Sequence, residues 1–88
     1  MFAVTATSFS DADPLSAGSV ALQNAEWAAA RALFEEAAEA SDSPEAWEGL
    51  SRASWWMGDA EQTLVARQRA YRAFRRTGDV RGAARMAM

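Results

Sequence analysis

Eighty-eight residues leave room for one small domain with a modest core, and half of them are apolar, alanine above all. The chain has no cysteine, histidine or lysine, which excludes thiolate or imidazole zinc sites, disulfides, Cys–His or Ser–His nucleophiles, a Schiff-base lysine and a P-loop lysine. Its net charge of −3 conceals a split: residues 1–50 hold nine acids against Arg31 alone, whereas residues 51–88 hold eight arginines against Asp59, Glu61 and Asp79.

Residues 1–12 lack helical periodicity and read as a flexible lead-in. They carry no positive charge and no apolar run of signal-peptide length. Nowhere does the chain approach the ~20 apolar residues that cross a bilayer, so a cytoplasmic protein without membrane contact is expected. Asp13-Pro14 is a helix-start signal, since aspartate caps free amides and proline lacks the N–H that has no partner there. A short helix follows to about Gln23, with Gly18 suited to close packing.

The second helix is expected from Glu26 to about Ala40. Trp27, Ala30, Phe34 and Ala37 share one face at 3-4-3 spacing, widened by Leu33. Glu35, Glu36 and Glu39 lie mostly off it. Ser41-Asp42-Ser43-Pro44 ends that helix and opens a third, to about Met57, whose stripe is Trp47, Leu50, Ser54 and Met57 beside Ala53. Glu48 and Arg52 form an i,i+4 pair in the favourable order. Gly58 supplies a left-handed cap, and Asp59 with Gln62 spells a capping box. The fourth helix, about Ala60 to Thr77, places Leu64, Arg67, Tyr71 and Phe74 near one face, with Ala70 between. Gly78-Asp79 repeats the stop-and-restart. A fifth helix begins near Val80, presents Val80, Ala83, Ala84 and Ala87, and meets no stop signal.

A 33-residue self-similarity runs through this pattern: Trp27 maps onto Ala60, Ala30 onto Thr63, Ala37 onto Ala70, Pro14 onto Trp47 and Leu50 onto Ala83. The run Trp47, Leu50, Ala53, Gly58-Asp59, Leu64 and Ala70 resembles the tetratricopeptide repeat. Ser51 stands where that repeat favours glycine, and Thr63 and Arg67 replace an alanine and an aromatic. More narrowly, Trp55-Trp56-Met57-Gly58-Asp59, Ala70-Tyr71-Arg72, Gly78-Asp79 and Gly82-Ala83-Ala84-Arg85 make residues 20–88 similar to the tetratricopeptide segment of LuxR-type (MalT-like) bacterial transcriptional regulators. The resemblance implies an all-α, tetratricopeptide-like α-solenoid of antiparallel helix hairpins over residues 13–88, about two and a half units. It implies a scaffold or sensory region governing a helix-turn-helix DNA-binding domain for which residues 79–88 are too few. The open pattern after Val80 predicts a fragment of a longer regulator, or association through the carboxy-terminal end.

Trp55 and Trp56 stand about 100° apart on their helix and cannot face one neighbour. They either wedge between helices or anchor a partner, because tryptophan and arginine dominate binding hot spots. Arg67, Arg69, Arg72, Arg75 and Arg76 form a basic stripe: a solvated or inter-hairpin pairing face, a groove for an acidic partner, or a nucleic-acid surface short of stacking aromatics. Trp55, Trp56, Arg67, Arg72 and Arg75 are the candidate partner-binding residues. Repeat packing is expected of Trp27, Ala30, Phe34, Ala37, Trp47, Leu50, Ala53, Gly58, Leu64, Ala70 and Phe74. Glu35, Glu36 and Glu39 read as a solvated face, because no histidine or second acidic cluster converges on them. The expected function is a non-catalytic protein-interaction module of a LuxR-type regulator, with a free-standing adaptor for a peptide or acidic helix as the alternative. Its partners are protein (further repeats, a second copy or a peptide), with no direct nucleic-acid contact and no catalytic, cofactor or metal site.

Overall fold

Among the described residues, side-chain oxygens open four of five helices by taking over amides that no helical carbonyl can reach. The computed structural model describes residues 13–87, so the expected lead-in over 1–12 lies outside the described residues. All elements among the described residues are helices: α1 (Pro14–Gln23), α2 (Trp27–Ser41), α3 (Pro44–Trp56), α4 (Ala60–Thr77) and α5 (Val80–Ala87). Asp13 accepts from the Ser16 amide at 2.8 Å, Ser43 from Ala46 at 3.2 Å, Asp59 from Gln62 at 3.0 Å and Asp79 from Gly82 at 2.9 Å. None of these helices is long and apolar enough to cross a membrane.

Three of the four turns share one closure. Ala25, Gly58 and Gly78 have φ of 61°, 77° and 81°, and the amides of Glu26, Asp59 and Asp79 reach back to the carbonyls of Ala21, Ser54 and Phe74, at 2.9 Å each. This is the Schellman pattern, which satisfies the carbonyls a helix end leaves over. A Cβ at Gly58 would meet nothing within 4 Å, so Gly58 shapes a turn and does not pack, contrary to its place among the expected packing residues. Ala25 adopts the same left-handed backbone with a side chain, at a cost of about 1 kcal/mol.

Burial repeats every 33 residues through the first four helices: Gly18 and Ser51, Ala21 and Ser54, Ala30 and Thr63, Ala37 and Ala70 are all buried. Helix lengths vary around that spacing. α4 has 18 residues against 15 in α2, so α5 starts 36 residues after α3. The 33-residue spacing nevertheless reaches α5, where Gly82, buried against Phe74, stands 33 residues after Gly49, buried against Phe34.

The core is thin and made largely of alanine. Phe34, only 2% exposed, fits between Gly18 of α1 and Gly49 of α3, and Phe74 lies on Gly82 of α5. Successive helices pack on one another, and α1 also touches α3. The buried Ser54 hydroxyl donates to Gln62 Oε1 at 2.8 Å, and Gln62 Nε2 donates to Glu35 Oε2 at 3.0 Å, tying α3, α4 and α2 together. The Gln62 side chain is thereby drawn away from the Asp59 amide, leaving the expected capping box with its Asp59 half alone.

Leu64 is a second correction: it is 62% exposed, outside the packed stripe. The inner face of α4 is Thr63, Ala66, Ala70, Ala73 and Phe74, about one residue's rotation from the expected line. The reason is steric. Ala53 and Ser54 on the facing helix are fully buried, so the gap admits only small side chains and leucine turns outward.

Candidate functional site

Helix α3 ends in a cluster that its packing leaves uncovered. Trp55, Trp56 and Met57 are 65%, 58% and 42% exposed, so neither tryptophan wedges into the core. Trp56 instead stacks on Trp27 at the start of α2, with ring centroids 4.9 Å apart and planes within 9°. Trp27 is half-buried and belongs to this outer stack. Trp47 is half-buried against the core, donates its indole N–H to Asp42 at 2.6 Å, and lies 5.0 Å beneath the Arg69 guanidinium.

The arginines divide into those spent within the fold and those facing clefts. Arg31 pairs with Asp59 at 3.3 Å and Arg76 with Asp42 at 3.1 Å, each joining the acidic half of the chain to the basic half. Glu48, buried in α3, accepts from Arg85 Nε and Nη2 at 3.1 Å each and more loosely from Arg52 at 3.4 Å. The bonds and charge of Glu48 hold the Arg85 guanidinium above its usual pKa. Nothing local in the sequence signals that pair, because its members are 37 residues apart. Arg67 donates to the carbonyls of Arg85 and Met86 at 3.4 and 3.3 Å, capping the end of α5. Arg75 lies over Tyr71, 5.8 Å from the ring centroid, and donates to its hydroxyl at 3.3 Å.

Two adjoining clefts sit beside the exposed tryptophans and share Arg67. One, of about 280 Å³, is bounded by Ser51, Arg52, Trp55, Trp56, Thr63 and Arg67. The other, of about 520 Å³, is bounded by Leu64, Arg67, Gln68, Tyr71, Arg72 and the end of α5. Every charged residue in their walls is an arginine. A third cleft of about 330 Å³, between α1 and α3, contains Glu45 and the Glu48–Arg85 pair, so its charge is largely satisfied within the fold. The structure thus brings Trp55, Trp56, Arg67 and Arg72 onto one surface, joined by Leu64 and Arg52, which sequence reasoning had assigned to packing and to a helix pair. Arg75 lies elsewhere, on a cleft with Val80 and Ala83. Glu35, Glu36 and Glu39 do not converge on that surface, and among the described residues no group of three His, Cys, Asp or Glu could hold a metal ion. No family model, curated protein or solved structure matches this chain.

Proposed function

We propose that the chain is a non-catalytic protein-interaction module of the tetratricopeptide type, the repeat region of a cytoplasmic LuxR-type transcriptional regulator whose DNA contacts are made by a separate helix-turn-helix domain. The observation that carries the interaction role is the pair of outward-facing tryptophans above clefts with arginine as their only charge. Large aromatics exposed together with arginine are the composition of binding hot spots, and burying them against a partner recovers apolar area that the isolated fold leaves in water. Three features support the repeat assignment: burial recurring at 33 residues, glycine-closed turns at Gly58 and Gly78, and contact of α1 with α3 across the intervening helix. The buried carboxylate of Glu48 is committed to Arg85 and Arg52, which suits a structural role better than acid–base work.

The coding sequence beyond codon 88 tests the regulator assignment. Further helical hairpins followed by an in-frame helix-turn-helix domain are expected. A stop codon at that point overturns it in favour of a free-standing adaptor, the reading that arginine-only clefts favour if the module acts alone.

A further inference from the structure

We propose that the cleft between α2 and α4 takes an arginine side chain of a partner protein, with Arg69 as a stand-in that the incoming guanidinium displaces. The inference rests on the interaction role above and adds a second site, which shares no residue with the two arginine-walled clefts. Trp47 and Leu50 of α3 form its floor, with Glu35 and Glu39 on the α2 side and Val65 and Arg69 on the α4 side. Every wall comes from α2, α3 or α4, the three helices with packed neighbours before and after them in the chain. A volume of about 290 Å³ lies at the lower edge of pockets that enclose drug-sized ligands, so the cleft holds one long side chain and not a helix.

The floor and walls specify the occupant. The indole N–H of Trp47 donates to Asp42 at 2.6 Å, and Asp42 in turn pairs with Arg76 at 3.1 Å, so the edge of the ring is anchored. The Arg69 guanidinium lies 5.0 Å from the ring centroid, so the face of the indole already accepts a planar cation. Yet neither Arg69 nor Glu35 nor Glu39 forms an ion pair among the described residues. Glu35 gives one oxygen to Gln62, and the walls set two carboxylates against a single guanidinium. An arginine entering from solvent stacks on Trp47 and turns its fork to Glu39, making the charge-assisted pair that Arg69 leaves unmade. Arg69 is itself exposed, and a cation–π contact at an exposed site is weak, so its side chain gives way. Lysine fits less well, because its ammonium is strongly hydrated and has no flat face to lay on the indole. An acidic peptide or a nucleic acid would meet the two carboxylates and be repelled.

Nuclear magnetic resonance of the whole 88-residue chain reads this through its four indole N–H signals, with that of Trp47 assigned by Trp47→Phe. The probes are a blocked tripeptide with arginine at its centre and the same peptide with lysine or with uncharged citrulline. The arginine peptide is expected to shift the Trp47 signal saturably at millimolar concentration, ahead of those of Trp27, Trp55 and Trp56. Glu39→Gln should weaken it about fivefold or more, by removing the carboxylate that completes the pair. Arg69→Gln should tighten it about threefold or more, because a ring no longer covered is fully available to the ligand. Arg81→Gln, which takes the same charge from α5, should leave it unchanged and so separates uncovering of the ring from overall charge. All three side chains are exposed, so circular dichroism of the variants should match the parent. The proposal is overturned if the Trp47 signal stays fixed up to tens of millimolar peptide, or if the lysine or citrulline peptide binds as well. Indifference to Glu39→Gln overturns it too, as does a gain in Arg81→Gln equal to that in Arg69→Gln. If an in-frame helix-turn-helix domain is found but the arginine peptide does not bind, only this inference falls. If the peptide binds as expected but a stop codon follows codon 88, only the regulator assignment falls.

Discussion

Replacing Gly49 by alanine sets two effects of opposite sign against each other within one methyl group. In the middle of α3, alanine gains about 0.8–1.0 kcal/mol over glycine through helix propensity. The new Cβ, however, would lie 2.3, 2.4 and 2.5 Å from Cε1, Cζ and Cδ1 of Phe34. Rotating the ring away offers no relief. It is nearly sealed from solvent, and a Cβ at Gly18 would itself stand 3.0–3.1 Å from the same ring atoms. The helices must therefore separate, an overpacking cost of about 1–3 kcal/mol. The net expectation for Gly49→Ala is a loss of about 1 kcal/mol, or about 4–8 °C in Tm for a domain of this size. Urea and thermal unfolding followed by circular dichroism measure it. In a Phe34→Leu background the obstructing ring is gone, and the same glycine-to-alanine change should become neutral or stabilising, a sign reversal that only direct coupling produces. Gly18→Ala should fall near break-even. If Gly49→Ala raises the Tm of the parent, the account of Phe34 as a ring held between two glycines is wrong.

Other consequences can be checked by similar means. Glu48→Gln removes the carboxylate that Arg85 grips with two nitrogens, so amide hydrogen exchange in α5 should accelerate well before exchange in α3. Trp56→Phe should abolish the near-ultraviolet dichroic signal of the parallel Trp27–Trp56 pair, and Trp56→Ala should cost about 0.5–1.5 kcal/mol. The Asp13 carboxyl is held below its ordinary value of 3.8, first by the Ser16 amide and then by the Ser16 side chain. Its contribution to α1 is therefore complete above that value and lost as pH falls through the lower, folded one, so α1 amides should lose protection at the acid end of a pH series. Asp13→Ala should remove that pH dependence while leaving α4 unchanged.

Much of the architecture was legible along the chain because it is locally encoded. Helix starts at Asp13, Ser43, Asp59 and Asp79 follow from which side chains can reach a free amide three residues on. Stops at Gly58 and Gly78 follow from which residue turns left-handed without penalty. The Ala30–Phe34–Ala37 stripe of α2 was equally plain, because there the bulky residue is also the inward one. Leu64 went astray for the converse reason. Periodicity alone cannot distinguish a leucine that fills a core from one pushed out by a gap too narrow for it.

The surface of interest lay further from reach. The adjacent pair Trp55-Trp56 was conspicuous, but its outward orientation depends on where α3 ends and on Trp27 from another helix, 29 positions upstream of Trp56. Arginines that look equivalent along α4 acquire different roles only when their neighbours arrive: Arg76 turns to Asp42, Arg69 to Trp47, Arg75 to Tyr71 and Arg67 to the end of α5. The sequence by itself determined the all-helical class, the helix boundaries and the charge contrast between the two halves, since each rests on backbone chemistry and composition within a few residues. Only the tertiary structure decided which apolar side chains are core and which charges are left facing the clefts. Both depend on the width of the gap between helices and on partners far away along the chain.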